Sequence, residues 1–240
     1  MNADGSGVVR LTTSRGVAPA WSYDNKKIAY MADRPVGPSK VVVDIFVIDA
    51  NGANGHWASP TPSPVNLIHP TWSPDGSRIL VWAQPNNLMS LDVATGALTP
   101  LKLGGQDVKG RFPSFDPTGQ KIVFSAGSSL AVMNADGTGT LSTIPGPSGA
   151  TVEHPRFSPD GQKILFTAVT SSRTALYVAS QGTLTLLADH GVGHRASWAP
   201  DGKHIAFESK GKIYQMNADG TRRTRLSAPE VLDEEPAYTH

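Results

Sequence analysis

The chain has 240 residues, with 21 Lys and Arg against 20 Asp and Glu, a net charge of +1, seven histidines and no cysteine. That balance supplies no basic field for nucleic acid or an anionic membrane surface, and the lack of cysteine excludes disulfides and thiolate chemistry. No apolar run approaches the roughly 18 residues of a membrane span, the best being Val41–Val43 and Ile45–Ile48 with Asp44 between them, so neither nucleic-acid binding nor membrane insertion is expected.

The first residues, MNADGSGVVRLTT, show neither the basic nor the apolar region of a signal peptide. They read as the tail of a repeat, because MNADG returns at Met133–Gly137 and Met216–Gly220, each time after a complete strand pattern. The next stretch, PAWSYDN from Pro19, has its clearest copy at His69–Gly76, HPTWSPDG. Further copies are PSFDPTG from Pro113, PRFSPDG from Pro155 and ASWAPDG from Ala196, with EPAYTH near the end. Trp21, Trp72, Phe115, Phe157 and Trp198 occupy equivalent points at intervals of 51, 43, 42 and 41 residues. The longest interval holds Arg34–Lys40 and Asn51–Pro64, rich in Pro, Gly, Ser and Asn and expected as surface loops.

Four strands fit each unit. The aromatic segment is the first, ended by a turn in which Pro fixes φ, Asp favours the bend and Gly accepts positive φ. The second is the apolar run Ile28–Ala32, Ile79–Ala83, Ile122–Ala126, Ile164–Ala168 or Ile205–Ser209, buried between neighbouring sheets. The third is Asp44–Asp49, Asn87–Asp92, Ser129–Asn134, Ala175–Ser180 or Lys212–Asn217. A short polar fourth strand carries one apolar anchor: Leu11, Leu67, Leu101, Ile144, Leu187 or Leu226. No segment sustains a 3.6-residue apolar period. The expected fold is all-β, a β-propeller of four-stranded antiparallel blades in a single domain over residues 1–240, with five complete blades plus fragments of a sixth. The blades fall at about 17–68, 69–103, 111–145, 153–188 and 194–227, flanked by an outermost-strand fragment at 1–13 and an innermost-strand fragment at 234–240.

These motifs, five in register over essentially the whole chain, resemble the TolB-like propellers, whose blades carry Pro-x-Trp-Ser-Pro-Asp-Gly turns and MNADG-type hairpins. The resemblance implies six blades, of which the last would lack its two middle strands. Three closures follow: a five-blade ring with loose ends, a small makeshift sixth sheet, or a homo-oligomer in which two chains complete each other. TolB itself works as a periplasmic binding partner of an envelope lipoprotein, which implies a protein or peptide partner and a periplasmic or secreted setting.

In a propeller, the residues just before each first strand gather around the central channel. Here they are Val17-Ala18, Ile68-His69, Arg111-Phe112, Glu153-His154, His194-Arg195 and Glu234-Glu235. The candidate partner-binding residues are therefore His69, Arg111, Glu153, His154, His194, Arg195, Glu234 and Glu235. His69, His154 and His194 are candidate ligands for a divalent metal such as Zn²⁺ or Mn²⁺, although His194 stands one position out of register with the other two. Oligogalacturonate lyases, which resemble this arrangement, hold a metal by histidine at the channel mouth. The alternative expectations are a solvated funnel with no cofactor, or an anion held by Arg111, Arg195 and histidine.

No catalytic residue is assigned, since neither Gly-x-Ser-x-Gly nor His-Glu-x-x-His occurs. Asp49-Ala50-Asn51-Gly52 lacks the closing Glu of a calcium loop and reads as a hairpin turn. Arg222, Arg223 and Arg225 read as protection of an outer strand. The favoured reading is a non-catalytic scaffold. Its alternatives are a metal-assisted lyase on acidic sugar and the propeller portion of a larger peptidase, as prolyl-oligopeptidase-type enzymes carry.

Overall fold

Every blade begins with a hairpin whose turn is locked by its own side chains. In blade 2, Asp75 Oδ1 accepts from Ser73 Oγ at 2.6 Å, from the Ser77 amide at 3.0 Å and from the Ser77 hydroxyl at 2.8 Å. Gly76 takes φ 70° at the tip, a left-handed conformation that glycine reaches without steric penalty. The Ser–Asp hydrogen bond recurs at Ser22–Asp24 (2.7 Å) and Ser158–Asp160 (2.5 Å). The Ser and Asp of the repeated motif are thus turn residues.

A computed structural model describes residues 9–12, 16–189 and 192–227, apart from the side chains of Gly193 and His194. Blade 1 comprises β1 (Val17–Trp21), β2 (Lys27–Pro35), β3 (Val41–Asp49) and β4 (His56–Trp57). Blade 2 comprises β5 (Leu67–Trp72), β6 (Arg78–Ala83), β7 (Asn87–Asp92) and β8 (Leu98–Pro100), followed by a small hairpin, β9 (Lys102–Leu103) with β10 (Gln106–Asp107). Blade 3 is β11 (Arg111–Phe115), β12 (Lys121–Ala126), β13 (Ser129–Asn134) and β14 (Ser142–Pro145). Blade 4 is β15 (Thr151–Phe157), β16 (Ile164–Val169), β17 (Thr174–Ser180) and β18 (Thr183–Asp189). Blade 5 is β19 (Val192–Trp198), β20 (His204–Ser209), β21 (Lys212–Asn217) and β22 (Thr224–Arg225). Each blade is one antiparallel meander in sequence order, and the described residues contain no helix. The fold is the expected all-β propeller of four-stranded blades.

Two expectations are corrected in blade 1. Leu67 opens the innermost strand of blade 2 and is fully buried there, rather than anchoring the outermost strand of blade 1. That outermost strand is His56–Trp57, inside the stretch expected to be loop. Arg34 and Pro35, also expected in a loop, continue β2. Arg34 is buried, its Nη1 3.0 Å from Asp44 Oδ2 and 2.9 Å from the Ser59 carbonyl, and its Nη2 3.0 Å from the Pro60 carbonyl. Its guanidinium also lies 4.9 Å from the Trp57 ring. The polar insertion is folded back and tied to the blade, which no local pattern announces. The fragments at 1–8, 13 and 234–240 lie outside the described residues.

Burial between blades supplies the core. Four apolar clusters fill the successive interfaces, centred on Leu67, Trp72 and Ile79 (blades 1 and 2), Phe115, Ile122 and Phe124 (2 and 3), Val152 and Phe166 (3 and 4), and Trp198 and Phe207 (4 and 5). Trp72 is 2% exposed, and its Nε1 donates to the Ala20 carbonyl of the preceding blade at 3.1 Å. Trp198 repeats the bond to the Arg156 carbonyl at 3.4 Å.

The Asn-Ala-Asp-Gly turns dock on the preceding unit. A Cβ on Gly137 would collide with the Lys102 carbonyl, and one on Gly220 would stand 3.0 Å from the Leu187 carbonyl. A Cβ on Gly52 would likewise stand 2.8 Å from the Leu11 carbonyl. Leu11 therefore lies against blade 1 as Leu187 lies against blade 5.

Candidate functional site

The innermost strands are not regular. Each is shifted in register against its neighbour at one repeat position, between Val17 and Ala20, Ile68 and Thr71, Arg111 and Ser114, Glu153 and Arg156, and Val192 and Ala196. At these bulges Ala18, His69, Phe112 and His154 have φ of 58°, 56°, 52° and 51°, left-handed values that cost a non-glycine residue about 1–2 kcal/mol each. Each is followed by proline, which normally holds its predecessor in extended backbone. A strain repeated at one position four times is a built feature. A bulge re-aims a side chain, and here it turns the residue into the channel.

Two layers result, because strand side chains alternate with period two. The deeper layer is Ala18, His69, Phe112, His154 and Arg195; the upper layer, two residues further on, is Ala20, Thr71, Ser114, Arg156 and Ser197. Except for Phe112, all of these line one central funnel of about 380 Å³. Trp21, Tyr23, Trp72, Phe115, Phe157 and Trp198 add aromatic walls, and Pro117, Pro159 and Pro200 lie at the turn end. Phe112 packs beneath, its ring centroid 3.9 Å from that of His154 and 4.7 Å from that of His69. The two imidazoles are 4.9 Å apart, and His69 also stacks on Trp82 at 5.9 Å.

Two arginines, Arg195 in the deeper layer and Arg156 in the upper one, stand beside the histidines. Arg195 Nη2 donates to His69 Nδ1 at 3.1 Å. Since a guanidinium only donates, Nδ1 accepts and the proton of the neutral ring sits on Nε2. Burial first, then Arg195 and Arg156, push the His69 pKa down to about 3. Arg156 is sunk in the structure with part of its surface open to the funnel; burial and then Arg195 lower its pKa to about 10, against an opposing effect of Tyr23. Burial raises the Tyr23 pKa, with Arg156 opposing and Asp116 adding to the rise. No Asp or Glu lines the funnel among the described residues.

The expected cluster divides. His69, His154 and Arg195 meet in the funnel. Arg111 and Glu153, one residue before the bulge, point away and line a separate shallow cavity with Asn86, Lys109 and Thr151. There Arg111 stacks on Trp82 at 5.0 Å and its Nε reaches Asn86 Oδ1 at 3.3 Å. The single mouth gathering all of these residues is therefore corrected to two separate surfaces. The His194 side chain, Glu234 and Glu235 lie outside the described residues.

Arg156 and Tyr23 were not anticipated. The signal for Arg156 was available, since it stands two residues after His154 on the same strand face.

Among the described residues no group of three or more His, Asp or Glu suited to a metal occurs, and His69 Nδ1 is engaged by the Arg195 guanidinium; the side chain of His194, the third expected ligand, lies outside them.

Solved structures decide the fold relationship. TolB from Acinetobacter baumannii superposes with a TM-score of 0.75 at 22% identity, over 93% of this chain and 57% of that one. The fold is that of a TolB-like β-propeller. A putative TolB from Agrobacterium tumefaciens gives 0.73 at 16% identity, over 90% of this chain and 81% of that one. An oligogalacturonate lyase in complex with manganese gives 0.61 at 15% identity, over 92% and 67% of the two chains. The TolB-like propeller thus spans little more than half of the Acinetobacter structure, and these identities establish shared fold only. No protein-family model and no curated protein matches the sequence.

Proposed function

We propose that this TolB-like propeller is a non-catalytic scaffold that binds a protein or peptide partner in its central funnel, acting in the periplasm or outside the cell. The observation that carries the reading is the funnel itself, a single recess walled by the innermost strands of all five blades, with aromatic sides and a polar base. Preformed concave sites with apolar walls and a few convergent polar groups are the usual form of a ligand site. Its size suits a short extended segment rather than a folded domain, so the partner would present a loop or tail while its body rests on the turn-bearing face. The likeness to TolB supports the periplasmic or extracellular setting.

The test is selection of peptides from a random display library on the purified protein, followed by titration against a Thr71→Trp variant whose new side chain fills the funnel. Selected peptides should bind the variant at least about tenfold more weakly at an unchanged melting temperature. Equal affinity for a folded variant would remove the funnel as the site.

A further inference from the structure

We propose that the funnel is a carboxylate receptor in which Arg156 receives the free carboxylate of the bound segment, either a C-terminal group or an acidic side chain. This deepens the scaffold reading and rests on it.

The argument starts from the repeat. At the Arg156 position the other four blades place Ala20, Thr71, Ser114 and Ser197, so the propeller needs nothing larger than Ser or Thr there. Arginine is not a requirement of the fold. It is costly, because removing a guanidinium from bulk water without an acceptor is strongly unfavourable. The Arg156 side chain makes no hydrogen bond or ion pair with any described residue, although its backbone carbonyl accepts from Trp198 Nε1. The charge that acts on it most strongly is another cation, Arg195.

What surrounds Arg156 fits a carboxylate. A planar guanidinium receives one through two parallel hydrogen bonds. Thr71 belongs to the same layer and lines the same funnel, offering a hydroxyl donor for a remaining lone pair, whereas the Ser114 and Ser197 hydroxyls already donate to the Phe115 and Trp198 carbonyls at 3.3 Å. Trp21, Phe157 and Trp198 line it too, and would cover the apolar atoms next to the carboxylate.

The test uses three probes at constant ionic strength: acetyl-Gly-Ala with a free carboxylate, acetyl-Gly-Ala amide, and acetyl-Glu amide. Each is titrated by tryptophan fluorescence and by thermal shift into the wild type, Arg156→Ser and Arg156→Lys. Arg156→Ser copies blades 3 and 5 and should melt at or above the wild-type temperature. The free acid should bind wild type at least about tenfold more tightly than the amide. Arg156→Ser should abolish that ratio and Arg156→Lys should keep part of it. Binding of acetyl-Glu amide assigns the carboxylate to a side chain; binding of acetyl-Gly-Ala alone assigns it to a chain terminus.

An acid-to-amide ratio near one, including no response to any probe up to about 20 mM, overturns the proposal. So does a melting temperature of Arg156→Ser well below wild type, which would make the arginine structural. Library peptides that bind the funnel without any acid requirement would sink this inference and leave the scaffold reading intact.

Discussion

Arg195 Nη2 on blade 5 lies 3.1 Å from Nδ1 of His69 on blade 2, joining side chains 126 positions apart across the channel. The contact fixes the His69 tautomer and, with burial, keeps the ring neutral. In the folded state its pKa falls to about 3, whereas an unfolded histidine titrates near 6.5. Below pH 6.5 the unfolded chain takes up a proton that the folded chain refuses. The stability contributed by neutral His69 is complete above pH 6.5 and is lost as pH falls toward 3, by about 2 kcal/mol between pH 6.5 and 5. Urea unfolding at pH 7.5 and 5 checks this: His69→Ala, which copies Ala18 of blade 1, should lose less stability over that range than wild type. In ¹⁵N spectra His69 should remain the neutral Nε2–H form at pH 5.

The turn aspartates act in a second, more acidic window. Hydrogen bonds from Ser73 and Ser77 hold the Asp75 pKa down to about 2, and those from Ser158 and Gln162 lower that of Asp160. A depressed carboxylate stabilises the fold above its unfolded pKa near 3.9 and ceases to do so as pH falls through the folded value. The Asp75→Asn, Asp160→Asn double variant should be less stable at pH 7 and show a flatter acid limb below pH 4 in a circular-dichroism pH titration.

The buried Arg34–Asp44 pair holds the insertion of blade 1 to its sheet. Asp44 is fully buried, so Arg34→Ala should cost about 3–5 kcal/mol by stranding its charge. The Arg34→Met, Asp44→Asn pair should recover much of the loss in chemical denaturation. Proteolysis of the single variant should begin within residues 53–64.

Trp72 contributes volume and one hydrogen bond between blades. Trp72→Phe should cost about 1 kcal/mol for the lost bond, and Trp72→Ala about 3–5 kcal/mol through the added cavity. Urea midpoints measure both.

Gly137 allows a turn to touch its neighbouring unit. With φ 77° and the Lys102 carbonyl against its α-carbon, Gly137→Ala should cost about 1–3 kcal/mol from strain alone, with the clash added. Gly127→Ala, at φ 73° but in open space, should cost clearly less, as thermal unfolding of the two variants will show.

Much of the architecture was legible because a blade is a local object. Strands β7, β13 and β21 lie where alternation and turn residues placed them. Blade 1 was harder, since its long insertion separates β4 from the rest of the repeat. Trp57 and Arg34 join the sheet through contacts that only folding creates. The site was half legible. His69, His154 and Arg195 were named, yet grouping them with Arg111 and Glu153 ignored the bulge, which sends adjacent residues to different surfaces. Arg156 is harder to read from the repeat because it lies past the start of the strand, two residues along the inward face from His154.

The sequence by itself determined the all-β propeller, its five turns and the tryptophans and phenylalanines that pack the blades, because those depend on short-range patterns repeated at nearly constant spacing. Only the tertiary structure decided that residues from five separate blades form one funnel and that two arginines line it beside a neutral histidine. The channel lies on the axis of the ring, where positions distant in sequence converge, and what lines it depends on backbone bulges whose direction no single repeat reveals.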